Sequence, residues 1–275
     1  MPSVISDFKT KRLVEYLEPG DEVLIKFDNH GIGDMIMFQP LYQKMKRLYP
    51  DVHFHLLGNR DQQYFYETPE APVTKSFYIK FPETVTMFGS RPYSMSKPEA
   101  CAVLELGIPY DAKELEFTWK PSSWVNADIP DNCIGVVFQV CCNASRSLEY
   151  GTAAAIWKRI KDNGFTPIEV VFKNLNLAAR NGRFGFIDRS CRDLPANPET
   201  MIGVIKKCKG FLGVNTGTFC AATALMHGDV IHLRKNEGFA PCYKRYEPVK
   251  EVLCNNGVGG MDWSVIDQYL AKRRS

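Results

Sequence analysis

Asp34 closes a polar, glycine-bearing stretch, Asn29-His30-Gly31-Ile32-Gly33-Asp34, between the apolar run Val23-Leu24-Ile25 and a pattern spaced through Met37, Leu41, Met45 and Leu48. The run reads as strand, the stretch as a tight turn and the pattern as helix, which puts Asp34 at a helix N-terminus. Two readings of the carboxylate stand side by side. It can cap the helix, stabilising it by roughly 1 kcal/mol. It can equally take a proton from an attacking hydroxyl, because open α/β sheets bind ligands at the carboxyl ends of their strands. Gly31 and Gly33 let the backbone turn sharply and leave room for a substrate, and His30 is the histidine to place in the cleft beside Asp34. Gly31-x-Gly33 also invites a dinucleotide site. Ile36 occupies the third small position, however, and the next strand ends Leu56-Leu57-Gly58 without an acid, so a nicotinamide dehydrogenase is not supported.

A second strand-turn-helix pattern lies late in the chain. Gly210-Phe211-Leu212-Gly213-Val214 reads as a buried strand, Asn215-Thr216-Gly217-Thr218 as the turn, and Phe219 to Met226 as a small, apolar helix. The unpaired N–H groups at such a helix start suit a phosphate. Lys173-Asn174 ends a strand and either touches a nucleotide or is an ordinary polar strand end. His53 and His55 alternate on one strand and should share a face. The aromatics Tyr64, Phe65, Tyr66, Phe77, Tyr78 and Phe81 either stack a ligand or form satellite core.

These residues need a scaffold that holds turns at strand ends. Strand candidates at Val23 to Lys26, Val52 to Leu57, Ile134 to Val140, Ile168 to Phe172, Phe184 to Asp188, Gly210 to Val214 and Val230 to Leu233 alternate with helical stretches. That alternation predicts an α/β fold with parallel sheets. The tract from Trp119 to Pro130, with two prolines and polar residues, predicts a boundary near residue 127, giving Rossmann-like domains 1–127 and 128–275. The segment Asp61 to Ser96 reads as irregular, and Asp262 to Arg273 as a short amphipathic helix carrying Trp263, Ile266 and Leu270.

At 275 residues the chain can bury two modest cores. No apolar run approaches membrane-spanning length and no signal core opens the chain, so it reads as soluble and cytoplasmic. Nine cysteines without a C-x-x-C pair, several inside apolar runs (Cys133, Cys208, Cys220), read as reduced core thiols. Beyond residue 130 Lys and Arg outnumber acids 20 to 13, whereas before it 14 face 18. The asymmetry favours an anionic ligand on the C-terminal half, although single cations such as Lys206, Lys207 and Lys209 also suit helix ends.

Gly33-Asp34 followed by Pro40, Leu41, Lys44, Leu48 and Tyr49-Pro50 resembles the N-terminal motif of the heptosyltransferase family of glycosyltransferases. Asp193-Leu194, the helical stretch Pro198 to Cys208, Phe211 to Gly217 and Ala221 to Leu225 are similar to that family's donor signature, and Ile134 to Val140 with Asn143 to Arg146 to the opening of its second domain. The resemblance implies a GT-B fold. In that fold two Rossmann-like domains face a central cleft, acceptor on the first and nucleotide-sugar donor on the second, with a C-terminal helix returning to the N-terminal domain. It also implies an inverting transfer with Asp34 as base, using no cofactor and no metal. Thr216, Gly217 and Thr218 would meet the leaving diphosphate beside Asn215, Ser145, Arg146 and Lys173, while His30, Gly31 and Gly33 would meet the acceptor.

The chain departs from the family pattern around the sugar and pyrophosphate. Asn215 stands for an acid, Cys220 for a histidine, Ser147-Leu148-Glu149-Tyr150 lacks the expected lysine, and Arg234-Lys235-Asn236 replaces a Gly-Pro. The resemblance therefore implies a nucleotide sugar without specifying ADP-heptose. The acceptor is a glycan or, given the basic second half, a hydroxylated base in DNA as in phage-type DNA glycosyltransferases; transfer to DNA would weaken steeply with salt. A non-catalytic nucleotide-sugar or nucleic-acid binding module of the same fold is the rival class. A nucleotide-sugar epimerase would need further acids and a histidine in the cleft, and only His30, Glu237 and Asp193 are on offer. Oligomeric state is not legible.

Overall fold

In this computed structural model the residues described are 3–4, 12–27, 32–57, 72–79, 99, 101–111, 129–140, 147–172, 184–194, 198–235, 250–255 and 257–274. The chain divides into two compact units, Met1–Thr118 and Trp119–Ser275. Residues 112–128, where the sequence places its boundary near 127, lie outside the described residues.

The first unit carries a parallel sheet of β1 (Ser3–Val4), β2 (Glu22–Phe27), β3 (His53–Leu57) and β4 (Lys75–Ile79) in the order β1-β4-β2-β3. Helix α1 (Ile32–Leu48) crosses from β2 to β3. Its buried Phe38, Leu41, Tyr42 and Met45 recur at helical spacing, and the Tyr42 hydroxyl donates to the Phe54 carbonyl at 2.5 Å. On β2 and β3 the alternate residues Val23, Ile25, Phe54 and Leu56 are buried. His53 and His55 share the other face, where they flank Glu22 at 3.6 and 2.6 Å.

β4 corrects the expectation that residues 61–96 are irregular. It pairs with both β1 and β2, and its adjacent Ser76 and Phe77 are both buried. A strand covered on both faces shows no period-2 pattern, which is why the sequence did not reveal it. Where β4 begins, Lys75 Nζ meets Asp21 at 2.6 Å and the Tyr16 carbonyl at 2.7 Å, and the Thr74 hydroxyl donates to Asp21 at 3.1 Å. Burial alone would raise the Asp21 pKa, but the hydrogen bonds from Lys75, the Glu18 amide and Thr74 outweigh it and hold the carboxyl below its ordinary range.

The second unit holds β5 (Cys133–Val137), β6 (Thr166–Glu169), β7 (Gly210–Gly213), β8 (Ile231–Arg234) and β9 (Lys250–Leu253) in the order β6-β5-β7-β8-β9, every pair parallel. Its helices are α2 (Tyr150–Asp162), α3 (Pro198–Lys207), α4 (Gly217–Leu225) and α5 (Trp263–Ala271). β5 and β7 are buried at every position, as parallel strands covered on both faces should be. The expected strand Phe184 to Asp188 is not one: Phe184 stacks on Phe186 at 5.4 Å, both rings pack edge-on against Tyr150, and Ser190 alone bridges to Glu169. β9 is an addition to the elements read from sequence.

Helix α5 packs within its own unit: Ile266, Tyr269 and Leu270 are buried in one core with Ile134, Leu212, Ile231 and Val252. Cys101, Cys133, Cys191, Cys208, Cys220 and Cys254 are buried and outside any disulfide, as core thiols should be. Burial pushes the Cys191 and Cys254 thiols up to about 12.

Candidate active site

The late strand-turn-helix forms as its sequence dictates. Gly213 closes β7 against neighbours that leave no room for a side chain, since a Cβ there would run into Val137 and stand 2.9 Å from the Phe219 ring. Val214 then donates to the Val137 carbonyl at 3.0 Å. Thr216, in extended backbone, caps α4: its hydroxyl accepts the Phe219 N–H at 3.1 Å and its carbonyl the Cys220 N–H at 2.9 Å. The amides of Gly217 and Thr218 are left without a partner among the described residues, at the end of the helix where the dipole is positive. Asn215, Thr216 and Gly217 are half-buried and Thr218 is buried.

Residues distant in sequence brace this turn. The Phe219 ring lies 6.3 Å from Phe211 and 5.5 Å from the His232 imidazole. His232 Nδ1 is 3.1 Å from Glu251 on β9, whose second oxygen accepts from Arg234 at 3.0 Å. The bond to His232 first, and then Arg234, hold the Glu251 carboxyl below its ordinary range against the opposing effect of burial.

At the carboxyl ends of β5 and β6, Glu169 is fully buried and clamped through both oxygens by Arg192, Nε at 2.8 Å and Nη2 at 2.9 Å. Arg192 Nη2 also donates to Gln139 at 3.1 Å, and the Ser190 hydroxyl to Glu169 at 2.7 Å. The Glu169 hydrogen bond raises the Arg192 pKa. Beyond β8, Lys235 Nζ donates to the Ser147 carbonyl at 3.2 Å and lies 3.8 Å from Glu149. Sequence reasoning passed over Glu169, Arg192, Gln139, His232 and Glu251, because no short motif joins residues that meet only through strand pairing; it met Lys235 only as a departure from a family pattern.

Asp34 is the third residue of α1, so its backbone lies inside the first turn and not at the cap position, with Gly33 just before it. Of the other expected site residues, Asn215, Thr216, Gly217 and Thr218 share one turn, while His30, Gly31, Ser145, Arg146 and Lys173 lie outside the described residues. Among the described residues no three His, Cys, Asp or Glu side chains converge to hold a metal ion, and no helix is long and apolar enough to cross a membrane.

No protein-family model matches the chain, and no curated protein matches it in sequence. Solved structures do match. The E. coli ADP-heptose lipopolysaccharide heptosyltransferase II superposes with a TM-score of 0.56 at 13% identity, over 92% of this chain and 100% of that one. The iron-containing dodecameric glycosyltransferase TibC of enterotoxigenic E. coli H10407 gives 0.55 at 14% identity, over 84% of this chain. This chain spans only 62% of the length of TibC. A family 9 glycosyl transferase from Veillonella parvula DSM 2008 gives 0.52 at 8% identity, over 85% and 87% of the two chains.

The chain shares its fold with the heptosyltransferases. At these identities the likeness is one of fold, and chemistry resides in the side chains set on it. In this heptosyltransferase-like fold, the open amides of α4, the Arg192 clamp and Lys235 all stand at carboxyl ends of strands in the second sheet, the end at which open parallel sheets take ligands.

Proposed function

We propose that this chain is a glycosyltransferase that moves a sugar from a nucleoside-diphosphate sugar to an acceptor hydroxyl, with inversion and without a metal ion. The observation that supports this most is the pair of open amides at the start of α4, set at the carboxyl end of a buried parallel strand in a fold shared with an ADP-heptose heptosyltransferase. In this reading the N-terminal unit carries the acceptor and the C-terminal unit carries the donor. Asp34 removes the acceptor proton as the acceptor oxygen bonds to the anomeric carbon. The bond from that carbon to the diphosphate breaks, and the nucleoside diphosphate leaves with the electron pair.

The Gly217 and Thr218 amides and the Thr216 hydroxyl meet the charge that develops on the leaving group. Asn215, Ser145, Arg146 and Lys173 complete the donor site, and His30, Gly31 and Gly33 the acceptor side. Thermal-shift screening against ADP-, UDP-, GDP- and CDP-sugars tests the reading, since a ligand that binds only the folded state raises Tm with its affinity. One of them should stabilise the protein, and Asp34→Asn should keep that stabilisation while losing roughly 10²–10⁴-fold in transfer. If no nucleotide sugar shifts Tm, or if Asp34→Asn turns over normally, the proposal fails.

A further inference from the structure

Lys235 follows the last residue of β8, yet its ammonium ends on the Ser147 carbonyl, 3.2 Å away, in the loop that follows β5. Ser147 and Leu148 are fixed beside the end of β5: the Val140 amide donates to the Ser147 hydroxyl at 2.9 Å and the Leu148 amide to the Phe138 carbonyl at 2.8 Å. In the sheet order β6-β5-β7-β8-β9, β7 separates β5 from β8. A side chain rooted at the end of β8 and anchored beyond β5 therefore crosses the carboxyl end of β7, where Val214, Asn215 and Thr216 lead into α4.

We propose that Lys235 is the cation that holds the diphosphate of the donor, an inference that rests on the glycosyltransferase reading above. The Ser147 carbonyl occupies one of three ammonium donors and leaves two to serve phosphate oxygens. The side chain keeps 30% of its surface exposed, so an incoming anion can reach it. Among the described residues its ion-pair partner is Glu149 at 3.8 Å, which is 71% exposed, so solvent screens the pair and weakens its hold on the ammonium. Anchoring at the carbonyl fixes a side chain that would otherwise lose rotamer freedom on binding. The Gly217 and Thr218 amides then approach the phosphates from the helix while Lys235 approaches from the strand ends.

Isothermal titration of wild type, Lys235→Met and Lys235→Arg with ADP, UDP, GDP and CDP, and with the nucleoside matching the best of these, tests the assignment. Lys235→Met should weaken the nucleoside diphosphate about 10- to 100-fold and leave the nucleoside unchanged, the expected loss for a charge-assisted hydrogen bond, and Lys235→Arg should recover most of it. Equal diphosphate affinity in wild type and Lys235→Met, or an equal loss for nucleoside and diphosphate, overturns the assignment and leaves Lys235 as a loop staple. If wild type itself binds none of the four diphosphates, the glycosyltransferase reading falls and takes the assignment with it.

Discussion

The phenol oxygen of Tyr269 accepts the backbone N–H of Phe211 at 2.9 Å and its O–H donates to the Asp229 carbonyl, also at 2.9 Å. The pairings Leu212↔Ile231 and Gly213↔His232 place Phe211 opposite Val230, so the Asp229 carbonyl is the acceptor that a regular parallel ladder would offer Phe211. Tyr269 instead stands between the two as a relay, and α5 is stitched into the sheet at the root of the strand that carries the candidate donor turn.

Tyr269→Phe should lower the unfolding free energy by about 1–3 kcal/mol, because it strands a buried N–H and a carbonyl without a partner. Gly210→Ala should be destabilising at the same place, since a Cβ there would stand 2.5 Å from Arg273 Nε and 2.9 Å from the Tyr269 oxygen. The two changes disturb one contact, so the double variant should lose less than the sum of the singles in urea unfolding. Strict additivity would show that the hydroxyl does not organise the strand.

The pair Asp21 and Lys75 should bound a plateau of stability in pH. The Asp21 pKa is held below its ordinary 3.8, so its contribution is complete above that value and is lost as pH falls through the folded pKa. The Lys75 pKa is raised above 10.5 by Asp21 and Glu18 despite burial, so its contribution is complete below that value and is lost as pH rises through the folded pKa. Asp21→Asn should cost about 1–3 kcal/mol at neutral pH and flatten both flanks of the unfolding profile. A variant whose deficit stays constant from strong acid to strong base would refute this.

Thr216→Ala removes the hydroxyl that caps α4 and should cost about 1 kcal/mol of stability. Thr216→Ser keeps the oxygen and should be close to neutral. If the turn also holds a diphosphate, the alanine variant weakens nucleoside-diphosphate binding beyond what its stability loss explains, and the serine variant does not. Calorimetric titration beside thermal unfolding separates the two effects.

The six cysteines among the described residues are all buried and outside any disulfide, and burial pushes Cys191 and Cys254 up to about 12. A thiol reagent near neutral pH should therefore leave Cys101, Cys133, Cys191, Cys208, Cys220 and Cys254 unlabelled in the native protein and reach them only on unfolding. Peptide mass spectrometry after brief native labelling reads this directly. Labelling at Cys191 or Cys254 would mean that the core opens locally.

The sequence alone determined much of the scaffold. Local hydrogen bonding and side-chain period decide strand, turn and helix, so β2, α1, β3, β7 and α4 stood in the residue pattern close to their observed bounds, whereas the cap at Thr216 came only with the structure. Tertiary structure alone decided the rest. β4 carries no alternation because both its faces are covered; Phe184 and Phe186 look like strand residues but satisfy their apolar surface by stacking on each other and Tyr150. The side of the chain on which α5 buries its stripe depends on a phenol finding a gap between β7 and Asp229. The clamp of Arg192 on Glu169 and the reach of Lys235 to Ser147 span 23 and 88 residues. Such contacts leave no local trace, because strand order, which local pattern does not encode, is what brings their partners within hydrogen-bond distance.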